Sequence, residues 1–168
     1  DITVAPDGSI FVSDWYDPRV GGPAMGGSLR GSIYRIAPKG VNYKIPVYDY
    51  ANAKGATEAL QNPNQSVKYL AYQSLKNMGS KAENSLKELV IGSNPAMAAR
   101  AYWLLADQNS LWVNHAAESQ NEDLRVLSVR MARNYFKNPY EFLKEMSSDV
   151  SLQVKREVAV AIRHKNFA

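Results

Sequence analysis

The feature that most constrains this chain is a helical pattern that returns. From Ala56 onward, apolar residues follow the period of an amphipathic helix. The pattern breaks at Pro63, Gly79, Gly92 to Pro95, Asn109-Ser110, Asn138-Pro139 and Asp149. These breaks predict helices over 56–62, 65–78, 80–91, 95–107, 109–119, 121–136, 139–147 and 151–164. Every second helix resembles the others and opens on an apolar residue followed by Lys or Arg. The pairs are Val67-Lys68, Ala99-Arg100, Leu124-Arg125 and Val154-Lys155, at steps of 32, 25 and 30 residues, with Ala99-Arg100 the loosest copy. A hairpin of two short helices buries its apolar face only against neighbouring hairpins, which is the physics of a solenoid. The expected fold is therefore mostly α: about four helical hairpins in a right-handed α-solenoid, preceded by a small antiparallel β element. The competing expectation is an irregular helical bundle with accidental self-similarity.

Composition separates the two parts. Seven of the ten glycines lie in residues 1–40 and five of the eight prolines in residues 1–46, where turns are favoured over helix. The first 50 residues carry five Asp against five Lys and Arg. The whole net charge of +4 therefore falls on the helical part, and it is too small to argue for nucleic acid. The first segment reads as short strands. Ile2 and Val4 alternate with polar residues, Pro6-Asp7-Gly8-Ser9 is a tight turn, and Ile10, Val12 and Asp14 share one strand face. A third strand is predicted over Ser32 to Ala37, after a long loop from Asp17 to Gly31. So small a sheet must pack on the helices or join a larger β structure. The organisation expected is a β segment over 1–45, a linker over 46–55 and helical repeats over 56–168.

The apolar-basic, small, apolar pattern of the even helices resembles HEAT-type repeats, in a short-period form. The β segment carries a second resemblance. Asp7-Gly8, Asp14-Trp15-Tyr16-Asp17-Pro18, Gly21-Gly22 and Gly31-Ser32-Ile33-Tyr34-Arg35-Ile36 are similar to the last blade of a β-propeller. The family that joins such a blade to HEAT-like repeats is that of large bacterial membrane-bound dehydrogenase-like proteins, often with a c-type haem domain. The resemblance implies a periplasmic or extracellular fragment of a longer parent. It also implies a quinone or haem c as cofactor of that parent, and none carried by these residues. The implied partners are the rest of the parent chain and another protein.

Candidate chemistry is sparse. Asp14, Trp15, Tyr16, Asp17, Arg19 and Arg30 flank the Gly-rich loop and form a possible ligand face. The competing reading is a structural ion pair of Arg30 or Arg35 with Asp14 or Asp17. The glycine spacing at Gly21 and Gly26 is that of a phosphate loop, but no Lys-Ser or Lys-Thr follows. Two carboxylates fall short of a calcium site. His115 and His164 stand 49 residues apart, with no partner at zinc-ligand spacing, so no metal is expected. There is no cysteine, which excludes thiolate chemistry and CxxCH haem attachment here. No catalytic constellation appears. Lys68, Arg100, Arg125 and Lys155 recur at equivalent repeat positions and predict a basic ladder along one face. Tyr69, Tyr72, Tyr102, Trp103, Trp112, Tyr135, Phe136, Tyr140 and Phe142 predict packing between repeats, or a peptide or glycan groove. No run approaches the ~18 apolar residues of a membrane span.

Three functions compete at this level. The favoured one is a non-catalytic interaction or spacer module. The second is part of an oxidoreductase acting on sugars or related alcohols, with residues 14–30 lining its active face. The third is a stand-alone HEAT-like scaffold that binds a protein.

Overall fold

In the computed structural model, three strands precede eight α-helices among the described residues, which are 1–14, 31–92 and 94–163. The strands β1 (Ile2–Val4), β2 (Ile10–Asp14) and β3 (Ser32–Ile36) form an antiparallel sheet in the order β1-β2-β3. Gly8, with φ +86°, closes the first turn in a conformation that side chains disfavour. The register sets Ile2 opposite Val12 and Val12 opposite Tyr34, and likewise Val4, Ile10 and Ile36. All six side chains therefore share one sheet face. That face stays largely open: Ile2 is 69 % exposed and Ile36 56 %.

The sheet is tied to the helices at its turn end. Ala5 and Ser9 are buried there. Two asparagines in the turn between α1 (Ala53–Leu60) and α2 (Gln65–Met78) reach back to it. The buried Asn62 amide donates to the Pro6 carbonyl at 2.8 Å and to the Tyr48 hydroxyl at 2.9 Å. The Asn64 amide donates to the Val4 carbonyl, while its side-chain oxygen caps α2 by accepting from the Val67 N–H at 2.9 Å.

The remaining helices are α3 (Glu83–Ile91), α4 (Pro95–Gln108), α5 (Leu111–Ala117), α6 (Glu122–Tyr135), α7 (Tyr140–Met146) and α8 (Leu152–Ile162). Each even helix begins on a side-chain cap: Asn64, Asn94, Asn121 and Ser151 accept from N–H groups of the first turn. Pro95 takes the first position of α4 behind Asn94, as that dipeptide predicts. Asn138 accepts from the Tyr140 N–H, so α7 starts one residue after Pro139.

Most helix ends lie within two residues of the sequence reading, and two starts differ by three. The predicted helix over 80–91 starts instead as a 3-10 turn, Gly79–Ala82, before α3. The first helix begins at Ala53 because Asn52 accepts from the Gly55 N–H at 2.8 Å, and Gly55 lies close under the chain before it. A Cβ at Gly55 would collide with the Asp49 carbonyl oxygen. Residues 48–52, expected as linker, are accordingly docked. The Tyr48 and Tyr50 rings meet edge to face at 6.2 Å and pack on the first core cluster, and Ser74 donates to the Tyr50 carbonyl.

The helices pack as successive pairs: α1 on α2, α3 on α4, α5 on α6 and α7 on α8. The even helices also touch in series, α2 to α4 to α6 to α8. Three apolar clusters follow the pairs. The first gathers Leu60, Leu75, Leu86 and Leu105, the second Tyr102, Val113, Leu127 and Met131, and the third Val129, Leu143, Val154 and Val158. Val90 and Trp112 bridge the first two clusters, and Phe142 bridges the last two. Small residues, Ala71, Ala98, Ala101, Ala132 and Ala161 among them, are fully buried where helix backbones approach.

The close contact at Gly55 makes a specific expectation. Alanine is the better helix former by about 1 kcal/mol, yet Gly55→Ala must displace backbone. A net loss of about 1–3 kcal/mol is expected, read as a lower midpoint in thermal unfolding. An unchanged or raised midpoint would contradict the contact.

Candidate functional site

The even helices touch in series, and each step carries a side-chain link. Between α2 and α4, Lys76 pairs with Asp107 at 3.1 Å. Between α4 and α6, the Tyr135 hydroxyl donates to the Trp103 carbonyl at 3.2 Å. Between α6 and α8, Arg130 pairs with the buried Glu157 at 2.9 Å. Trp103 and Tyr135 also meet ring to ring at 5.9 Å. Burial, with the Asp107 charge behind it, pushes the Tyr135 hydroxyl up to about 12, so it stays a neutral donor. The Asp107 hydrogen bond raises the Lys76 ammonium above its ordinary value.

The four predicted ladder cations lie on these even helices with different surroundings. Lys68, Arg125 and Lys155 are each the fourth residue of their helices, which start at Gln65, Glu122 and Leu152. Arg100 is the sixth residue of α4, which starts at Pro95, and this offset explains why its copy of the pattern is loose. Arg125 is the most completely bonded. Its Nε and Nη2 donate to the two Asp149 oxygens at 2.8 and 3.1 Å, and its Nη1 donates to the Ser119 and Gln120 carbonyls beyond α5. The two side chains are 14 % and 9 % exposed. Arg100 Nη1 donates to the Leu60 carbonyl, the end of α1, at 2.7 Å, where a cation suits the helix terminus.

The aromatic set divides. Tyr102 is buried, its hydroxyl 2.8 Å from His115 Nδ1, and the His115 ring lies 5.0 Å from Trp112. Burial raises the Tyr102 hydroxyl, with the Glu118 charge adding to it. His115 is exposed and borders two shallow cavities of about 270 and 340 Å³. The sequence showed His115 and Trp112 three residues apart on one helix, but only packing of α4 on α5 adds Tyr102. Phe136 and Phe142 pack edge to face at 5.4 Å. Tyr69 and Tyr140 are exposed. Tyr72 and Trp103 are half-buried on α2 and α4.

On the sheet, Asp14 is exposed at the end of β2, opposite Ser32. Trp15, Tyr16, Asp17, Arg19 and Arg30 lie outside the described residues, as do the phosphate-loop glycines Gly21 and Gly26 and also His164. Arg35 pairs with Asp7 at 2.7 Å and donates to Ser9 at 3.0 Å, not with Asp14. The register sets Arg35 opposite Phe11, on the other sheet face and nearer the β1–β2 turn, which puts Asp7 within reach. Hydrogen bonds from Ser9, with the Arg35 charge, hold the Asp7 carboxyl below its ordinary value. Among the described residues, no group of three or more His, Asp or Glu gathers to hold a metal, and no helix is long and apolar enough to cross a membrane. Comparison with protein-family models, with curated proteins and with solved structures finds no match for the chain.

The Arg125 hydrogen bonds hold the Asp149 carboxyl below its ordinary value. A carboxyl with a lowered folded pKa stabilises the fold above its unfolded pKa, and that contribution is lost as pH falls through the folded value. Asp149→Asn is therefore expected to cost about 2 kcal/mol near neutral pH. The gap to the native chain should close as pH falls below the ordinary carboxylate range. Thermal midpoints of both chains across pH 2–7 check this; a gap that persists at the lowest pH would remove the ion pair from the account.

Proposed function

We propose that this chain is a non-catalytic interaction and spacer module, built as a HEAT-like α-solenoid. The observation that carries this reading is the serial contact α2–α4–α6–α8, with a side-chain link at each step. The linked residues are 31, 32 and 27 positions apart, against steps of 32, 25 and 30 in the sequence repeat, so the first and last links keep near the repeat and the middle one, at the loose copy, does not. A repeat stack presents one continuous inner face to a partner. Its charged groups are also used in holding the stack: Lys76 pairs with Asp107 and Arg130 with Glu157 between helices, and Arg125 pairs with Asp149 in the turn before α8. The open apolar sheet at the start supports the blade reading, in which this sheet belongs to a larger β structure of the parent. In the dehydrogenase-like layout, the module joins a propeller to downstream domains in a periplasmic or extracellular protein.

Two measurements test this. In a repeat array, stability passes only between neighbours. Val154→Ala, in the last hairpin, should speed hydrogen exchange strongly in α7 and α8 and little in α1 and α2. Uniform loss of protection along the chain would favour the irregular bundle. The purified chain should also show no oxidation of sugars or simple alcohols with an added quinone, and steady turnover would overturn the non-catalytic assignment.

A further inference from the structure

The stack contains one arrangement in complete form at its far end and in incomplete form at its near end. At the far end, Arg125 on α6 is met by Asp149, two residues ahead of Ser151, the cap of the next even helix. Asp149 is held in place by the Ser151 N–H, which donates to it at 2.7 Å. At the near end, Lys68 holds the same helix position as Arg125. The next even helix there is α4, capped by Asn94, and two residues ahead of that cap stands Gly92. The position that supplies a carboxylate to Arg125 therefore supplies none to Lys68.

A second cation adds to the imbalance. Arg100 reaches the Leu60 carbonyl, at the start of the turn that leads into α2 and Lys68. Among the described residues, neither Lys68 nor Arg100 is in an ion pair; Arg100 otherwise donates only to the Met97 sulfur, at 3.3 Å. Both side chains are half-buried. Burial, and then the Arg100 charge, hold the Lys68 ammonium below its ordinary value. Half-buried Tyr72, one turn along α2 from Lys68, and Trp103, three residues along α4 from Arg100, flank them with aromatic surface.

We infer that Lys68 and Arg100 receive a carboxylate side chain from an acidic segment of a partner protein, in the role that Asp149 plays for Arg125. The inference rests on the inner face being a binding surface, and it names the chemistry of what binds. Charge complementarity selects the acidic group, and the aromatic flanks favour an apolar neighbour beside it.

The test uses the full chain and two synthetic octapeptides, one alternating aspartate with phenylalanine and one alternating asparagine with phenylalanine. Calorimetric titration should show the aspartate peptide binding at least tenfold more tightly, with the difference shrinking in high salt. Lys68→Gln should remove most of that difference. Gly92→Asp should build the missing carboxylate into the chain. Its backbone φ is −63°, and a Cβ there meets only the Leu89 and Glu88 carbonyls at 3.4 and 3.5 Å, an ordinary contact. This variant should fold, unfold at a higher temperature and bind the aspartate peptide at least fivefold more weakly. Equal binding of the two peptides, or no binding of the aspartate peptide, overturns the proposal. So does displacement by millimolar inorganic phosphate as effective as by the peptide, which would make the pair a general anion site. Equal binding that Tyr72→Ala abolishes would overturn the acidic partner and leave the inner face as a binding surface, so the two readings fail separately.

Discussion

The contact between successive even helices is what the rest of the structure depends on. Helices of seven to fourteen residues are marginal in water by themselves. Their stability comes from burying one face, and a single hairpin offers too little area. Each pair in this chain buries its face against the next, through clusters that Val90, Trp112 and Phe142 join end to end. Buried alanines let the backbones approach, and the links Lys76–Asp107, Tyr135–Trp103 and Arg130–Glu157 set the register of the approach. An exposed ion pair such as Lys76–Asp107 adds little energy. Its part is to select one alignment among several that an alanine-rich interface would tolerate.

The sheet depends on the stack in a narrower way. Its three strands are short and one apolar face is open, so its own burial is small. What holds it is the α1–α2 turn, where Asn62 and Asn64 satisfy the Pro6 and Val4 carbonyls. Asn64 also caps α2, so one side chain couples the start of the stack to the end of β1. The Asp7–Ser9–Arg35 cluster then closes the sheet around its first turn.

How much of this was legible follows from the range of each interaction. Helix starts were legible because a cap is local: Asn94-Pro95 states a boundary in two residues. The recurrence of Lys68, Arg125 and Lys155 was legible because they share one helix position. The partners were not. Arg125 finds Asp149 24 residues away, and Arg130 finds Glu157 27 residues away, only because α6 and α8 pack at one particular offset. Arg35 was read against Asp14 or Asp17, whereas the strand register delivers it to Asp7. Arg100 matched the repeat by residue type, but its helix starts two residues earlier relative to it than the repeat requires.

By itself, the sequence determined the class of this protein: a Gly- and Pro-rich β segment, then short helices whose apolar period and Asn punctuation recur. Those are properties of neighbouring residues, and backbone preference and amphipathic spacing suffice to express them. The tertiary structure decided which charges are spent inside the stack and which face outward. That choice depends on how far one hairpin slides along the next, a distance set by the packing of alanines and leucines between them. Because of it Arg125 is enclosed by Asp149, while Lys68, at the same place in its own helix, is in no ion pair among the described residues.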